Sequence, residues 1–359
     1  MIQPIEQVFP VVNSYNEWDP LEEVVVGVVD GACIPTWHVA LKATMPKRHW
    51  DFFVQHGGRP FHQELIDNAN RDLDGFARLL EAEGVIVRRP EAVDYTRPFS
   101  TPHWHSPSGL YAAMPRDTLL VVGEEIIEAP MAWRSRYYET DAYRPLLREY
   151  FLQGARWTAA PKPQLKDELY RQDYEESEEE WDVQYVIGED EPTFDAADFL
   201  RCGADLFAQR SHVTNELGIR WLARHLGSEY RIHRVRTRDS HPMHIDASMM
   251  PLAPGKLMVN PERVPEVHPL FKSWEVRSAP EPHSRHDHML CSAWVSMNVL
   301  SLDEKRVIVE RHEEETIQAL KRWGFEVLTC EFRSFNLFGG SFHCATLDVR
   351  RRGVLESYF

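Results

Sequence analysis

Five times along its 359 residues the chain runs through the same order. A short β-branched run comes first, then an amphipathic helical stretch, then a second short strand. The first copy reads "EEVVVGVVD" (22–30), a helix over 62–84 and "VIVRRP" (85–90). The second has its elements at 117–130, 141–154 and 155–163, and the third at 204–211, 215–227 and 230–236. The fourth spans 255–262, 266–274 and 275–280, and the fifth 304–310, 312–324 and 325–333. The helices rest on a 3.6-residue period: Leu65, Ala69, Leu73, Phe76, Ala77 and Leu80 share one stripe. The strands rest on runs of Val, Ile and Leu bounded by Gly, Pro and charge. Gly84, Gly154, Gly227 and Gly324 each stand just past a predicted helix, where a left-handed cap is expected.

Five copies are too few to close an eight-stranded α/β barrel. No GxGxxG follows the first strand, so a dinucleotide-binding fold has no support. Radial repetition of small α/β units around one axis fits better, although any α/β chain alternates such elements. Radial repeats bring equivalent loops to one shared mouth. One segment stands outside the pattern. Residues 171–192 are dense in acid and poor in aliphatics, and read as a solvated surface loop within a module. The chain is expected to form one domain over 1–359, with 1–12 as a flexible N-terminus.

Composition removes several function classes. A formal charge of -16 argues against nucleic-acid binding, which needs a basic face. No stretch approaches the roughly 18 apolar residues of a membrane span. The five cysteines, Cys33, Cys202, Cys291, Cys330 and Cys344, are odd in number, widely spaced and free of CxxC pairs. They suggest neither a disulfide framework nor a zinc knuckle. Free thiols fit a reducing cytosol, so a cytoplasmic location is expected. The first 20 residues carry Glu6, Glu17 and Asp19 and resemble neither a secretory signal nor an Arg-rich transit peptide.

Chemistry-bearing residues gather beside strand ends, one group near the edge of each of several repeats. These are "MPRD" (114–117), "FDAADF" (194–199), "PMHID" (242–246), "NPER" (260–263) and "SFHC" (341–344). A cysteine attacks as its thiolate. A histidine moves protons near neutral pH. Several aspartates beside a thiolate oppose its ionisation, unless the substrate is itself a cation. A guanidinium is such a cation, and its planar N–H donors match carboxylates in bidentate pairs. The plain alternatives stand beside this reading. A cysteine in an apolar strand is usually packing. Asp195 could cap a helix starting at Ala196, His244 could be structural, and Asp117 could be a turn residue.

Longer motifs narrow the choice. "SYNEWDPLEEVVVG", "AMPRDTLLVVG", "EAPMAWRSRYYE", "APKPQL", "FDAADFLRCG", "PMHIDAS", "SMNVLSLDEKRV" and "SFHCATLDVRRRG" resemble the arginine amidinotransferases of the glycine and inosamine-phosphate types, from about Asn13 to Phe359. The resemblance implies a five-bladed α/β propeller of the guanidino-group-modifying, or pentein, superfamily, with fivefold pseudosymmetry and a central site. It implies ping-pong transfer of the amidino group of L-arginine to an amine through an amidino-cysteine, with release of L-ornithine. It implies Cys344 as nucleophile and His244 as general acid and base. Asp195 would partner His244 and bind the guanidino group, with Asp117 and Asp246 as further substrate carboxylates. Arg263 would take the α-carboxylate of arginine, and Ser292 would contact substrate, with Cys291 in place of a second serine. Met243 keeps the residue of the glycine type, which makes glycine the default acceptor, with lysine or a biosynthetic amine as the alternative. A homodimer is also implied.

Departures from the family pattern bear on the acceptor. His241 stands where glycine enzymes have a small amide, and His103 and His105 in "TPHWHSPSGLY" stand where acids are usual near the mouth. Ser341 replaces the third glycine before the cysteine, which would restrict that loop if it needs positive φ. The alternative reading is a hydrolase of the same superfamily, such as an arginine deiminase, in which water takes the intermediate. No cofactor is expected. No metal is expected either: "HSRHDH" (283–288) lies in a Pro-rich connection without cysteine spacing, and His241, His244 and Asp246 only mimic a ligand cluster.

Overall fold

The computed structural model describes residues 10–176, 183–283, 290 and 292–359. Five three-stranded sheets make up its frame, with one two-stranded hairpin, Phe99–Ser100 with His105–Ser106, beside them. Each predicted repeat supplies the two parallel strands of one sheet. Leu21–Val26 pairs with Ile86–Arg88, Glu125–Glu128 with Arg156–Ala159, and Asp205–Gln209 with Arg231–Val235. Lys256–Val259 pairs with Glu275–Ser278, and Arg306–Glu310 with Glu326–Cys330. The crossovers are the helices Gln63–Ala82, Arg144–Leu152, Glu216–Leu226 and Glu314–Arg322. Gly84, Gly154, Gly227 and Gly324 follow them at positive φ, as their positions predict. The fourth crossover is only a 3₁₀ turn, Pro269–Ser273. Its segment is too short for a multi-turn helix, and Pro269 removes a donor at its start.

A third strand in each sheet escaped the repeat pattern. Leu119–Val122, Phe199–Cys202, Met249–Ala253 and Leu300–Ser301 each pair antiparallel with the strand that follows. The run "DTLLVVGEEIIEAP" is therefore a hairpin, folded back at Gly123. In the first sheet the third strand comes from the far end of the chain. Thr346–Arg351 pairs antiparallel with Leu21–Val26, setting Val24 opposite Asp348 and Val26 opposite Thr346. One blade is thus built from both ends.

These first strands are buried along most of their length, whereas the last strand of each sheet is half-exposed. The buried edge carries the site. A short turn precedes each inner strand: Pro115–Thr118, Ala196–Asp198, Ile245–Ala247, Val295–Met297 and residues 342–345. Successive turns touch one another. The ring closes where the His343 amide donates to the Asn298 carbonyl at 3.4 Å and Arg116 Nε donates to the His343 carbonyl at 3.3 Å. This is a five-bladed α/β propeller with its inner turns around the axis.

Two expectations about loops need correcting. Val12, assigned to the flexible arm, is buried in an apolar cluster, and the Asn13 amide donates to the Val349 carbonyl; residues 1–9 lie outside the described residues. The acidic segment 171–192 is not solvated throughout. Tyr174, Val186 and Ile187 are core residues, and the Val186 amide donates to His212 Nδ1 at 3.2 Å. Residues 177–182, its most acidic part, lie outside the described residues.

Candidate active site

A cavity of about 370 Å³ opens over the ring of turns. Asp117, His241, Met243, His244, Asp246, Arg263, Ser292 and Cys344 all line it, together with Asn298 and Gly340. Asp117 and Cys344, more than two hundred positions apart, meet here because the inner turns of different blades converge on one axis.

Cys344 sits in the last inner turn, 5% exposed. Asn298 from the neighbouring turn shapes it: Asn298 Oδ1 accepts from the Cys344 amide at 2.9 Å and from the Ser341 amide at 3.2 Å. Gly340 is required by close approach, since a Cβ there would lie 2.6 Å from Cys344 Cβ and 3.0 Å from Sγ. Ser341 is different. It is not among the three non-glycine residues at positive φ, so the loop does not need a third glycine and the expected restriction does not arise. The thiol donates to Asp246 Oδ2 at 3.4 Å. Burial, then Asp246 and Asp117, push the thiol well above its usual range. These influences hold Cys344 as a thiol.

His244 opens its turn at φ 62° and ψ 121°, a conformation that costs a non-glycine residue on the order of 1–3 kcal/mol. The strain is held by what the ring touches. Nε2 is 3.1 Å from Asp195 Oδ2 and Nδ1 is 3.5 Å from Asp117 Oδ1. Burial alone would lower its pKa, but Asp117, Asp195 and Asp198 outweigh burial and bring it up to about 9. His244 is an imidazolium at neutral pH. The plain alternative for Asp195 fails as well: it occupies the N-cap of Ala196–Asp198, yet its side chain makes no capping bond and serves His244. Asp195 is 1% exposed and is not among the residues lining the cavity, whereas His244, which it contacts, is.

Sequence reasoning missed Arg136. It is 1% exposed, at 3.0 Å from Asp117 Oδ2, 2.8 Å from Glu139 Oε2 and 3.5 Å from Asp195 Oδ2. It fixes two of the site's carboxylates and leaves Asp117 Oδ1 and Asp195 Oδ1 without a hydrogen bond. Burial still raises the Asp117 carboxyl above its ordinary value, against His244 and Arg136. Asp246 goes the other way: burial raises it, but the His343 hydrogen bond and charge, with His244 and Asn298, together outweigh burial and lower it. Nothing local in "WRSRYYE" marks it, because two of its partners, Asp117 and Asp195, are distant in sequence.

Arg263 also lines the cavity, 3.2 Å from Asp239 Oδ2. His241 lies 3.3 Å from Glu176 Oε1, and its Nδ1 is 2.9 Å from Ser240 Oγ. Ser292 Oγ accepts from the Trp294 amide at 3.1 Å. His103 and His105 are not at the mouth: both are exposed on the Phe99–Ser106 hairpin and neither lines the cavity. Cys291 and residues 284–288 of the His-rich stretch lie outside the described residues. Among the described residues, Glu310, His312 and Glu331 are the group of donors close enough to share a metal ion, and none lines the cavity.

Comparison with known proteins decides the family. No family model matches the chain. An L-arginine:L-lysine amidinotransferase of Pseudomonas savastanoi pv. phaseolicola is 56% identical over 359 residues, covering 99% of each chain. The chain belongs to the amidinotransferase family. The mitochondrial glycine amidinotransferase of Xenopus tropicalis is 48% identical over 97% of this chain and 85% of its own. The structure of SxtG, an amidinotransferase of Microseira wollei from the saxitoxin biosynthetic pathway, superposes with a TM-score of 0.94 at 53% identity, over 97% of this chain and all of that one. A dimethylarginine dimethylaminohydrolase matches at 14% identity with a TM-score of 0.57, a likeness of fold alone. This amidinotransferase therefore shares its full length with transferases and only its architecture with hydrolases.

Proposed function

We propose that this amidinotransferase takes the amidino group of L-arginine onto Cys344, releases L-ornithine and passes the group to a primary amine. The observation that carries the reading is one cavity holding the Cys344 thiol, the His244 imidazolium and the carboxylates of Asp117 and Asp246. As the guanidinium enters between the two carboxylates, it offsets the negative field that holds the thiol protonated. A unit charge about 4 Å away, at an effective dielectric near 20, is worth about 4 kcal/mol, or about three pK units. That is enough to matter for a thiol raised mainly by burial and two acids. The proton leaves to solvent and the thiolate attacks the guanidino carbon. The bond from that carbon to the ornithine nitrogen breaks, and His244 gives that nitrogen a proton. An acceptor amine then attacks the same carbon, His244 takes a proton from it, and the C–S bond breaks to restore the thiolate. Asp195 keeps the ring oriented through Nε2. Arg263 receives the α-carboxylate, a bidentate task that suits guanidinium better than ammonium.

Lysine stands ahead of glycine as acceptor. Two observations support this order: the greater identity to the lysine-type relative, and His241 in place of the glycine-type amide. The buried free thiols of Cys33, Cys202, Cys330 and Cys344 support a reducing, cytoplasmic setting. The test supplies arginine with lysine, with glycine and with no amine, and identifies products by mass. Ornithine with a guanidinylated amine is expected. Citrulline without a guanidinylated amine would make the protein a hydrolase.

A further inference from the structure

We propose that His343 is a positioning residue of this reaction: a buried imidazolium that bridges Glu17 and Asp246, keeps Asp246 ionised toward the substrate cation, and through Asp246 sets the Cys344 thiol. The inference rests on Cys344 being the nucleophile. His343 adjoins that cysteine, yet it takes part in none of the bond-making or proton-transfer steps.

The geometry is specific. His343 is 2% exposed and does not line the cavity, so it hands no proton to substrate. Nδ1 lies 2.8 Å from Asp246 Oδ2 and Nε2 lies 3.2 Å from Glu17 Oε2. A neutral imidazole has one N–H and would turn a lone pair toward one of two carboxylates. Only the doubly protonated ring donates to both. Glu17 stays ionised, because Arg201 contacts it at 2.9 and 2.7 Å and Arg116 lies 3.5 Å away. A fixed negative charge therefore backs the ring on the side away from the cavity. His343 faces Glu17, Asp246 and Arg116, whose Nε donates to the His343 carbonyl.

On the cavity side the effect passes through one carboxylate. Asp246 faces His343, His244, Cys344 and Asp117. Its Oδ2 accepts from both His343 Nδ1 and Cys344 Sγ. Asp246 is 1% exposed, and burial raises the carboxyl while the His343 hydrogen bond is the strongest influence lowering it. Removal of that donor lets burial win. A neutral Asp246 would neither attract a guanidinium nor hold the thiol in its present direction. Charge-assisted bonds of this kind are about twice as strong as neutral ones.

The side chain can be dissected with two amides in the full-length protein. His343→Asn places an N–H where Nδ1 was and keeps the Asp246 contact. His343→Gln reaches toward Glu17 and removes the donor that Nδ1 gives Asp246. The kcat/KM for ornithine release from arginine is followed against pH. For His343→Gln we expect a loss of about tenfold or more near neutral pH and an acid limb moved at least about one pH unit upward. His343→Asn, which keeps a donor but loses the charge, should move the acid limb less than His343→Gln does. An unmoved limb in His343→Gln, or identical profiles for the two variants, overturns the proposal. Should His343→Gln fail to fold, the wild-type protein answers alone. Nitrogen NMR of histidine-labelled protein should show, besides His244, a second buried ring protonated on both nitrogens at about pH 8 and missing from His343→Asn, and a neutral His343 ring overturns the proposal. If the wild type releases no ornithine, the reading of Cys344 falls, while the NMR result still reports on His343.

Discussion

Single atoms decide much of this site. Gly340 and Ser341 are neighbours with opposite constraints. Gly340→Ala pushes a Cβ to 2.6 Å from Cys344 Cβ, so ornithine release should fall by at least about a hundredfold, the cost of misplacing a nucleophile by an ångström. Ser341→Gly should leave turnover and melting nearly unchanged, since Ser341 has no left-handed backbone to relieve. A slow Ser341→Gly enzyme would show that the loop uses the hydroxyl. His244 sets the alkaline edge of activity. It must be protonated to release ornithine, and its pKa is raised to about 9, so kcat/KM for arginine should fall as pH rises through about 9. Asp195→Asn removes one of the charges that raise it and should bring that edge to lower pH. An edge that stays put would remove His244 from the role of acid.

Among elements, the crossover helices were the most legible. Period 3.6 located the four helical crossovers, and a glycine follows each. Gly154 separates backbone from packing effects. It sits at φ 102°, and a Cβ added there would meet nothing within 4 Å, so Gly154→Ala costs only backbone strain, about 1 kcal/mol by urea denaturation. A neutral substitution would mean the loop relaxes freely. The inner strands were less legible. Each is only two to six residues long and follows a turn, and all but Thr346–Arg351 run straight into a hairpin. Period alone cannot divide "LLVVGEEII" into two antiparallel strands. What divides it is pairing across Gly123.

At the scale of the whole molecule, charge locks the blades together near the axis. Arg116, Arg201 and Arg351 converge on Asp348, with contacts of 2.6, 2.9 and 2.8 Å. Arg116 precedes the inner strand of one blade, Arg201 lies in the next, and Asp348 and Arg351 belong to the closing strand. All four are at most 3% exposed. Asp348→Asn keeps the shape and removes the charge, leaving three buried guanidiniums undercompensated. It should destabilise the protein by about 3–5 kcal/mol in urea unfolding. A loss below about 1 kcal/mol would show that Glu17 and backbone carbonyls suffice. Burial raises the carboxyls of Glu17 and Asp348, but the arginines override it and hold both below their usual range. The stability they contribute is therefore present above ordinary carboxylate values and lost as pH falls through their lower folded values.

Repeat order, helix stripes and the residue types around Cys344 were set by local chemistry, because strand and helix periods and guanidinium-matching acids are properties of short stretches. From them came five units, their crossovers and a nucleophile, base and acids set for a cation. The tertiary structure alone decided the rest. Thr346–Arg351 completes the first blade by taking the antiparallel edge of Leu21–Val26, a pairing over three hundred residues long in sequence. Asp195 faces His244 and not the cavity because two turns from different blades touch. Arg136, Asn298 and His343 join the site through contacts with other blades, and no local pattern marks such a contact. Long-range pairing sets which charges share a buried space: Asp117, Asp195 and Asp198 give His244 its proton against burial, and burial with Asp246 and Asp117 denies Cys344 the loss of its own.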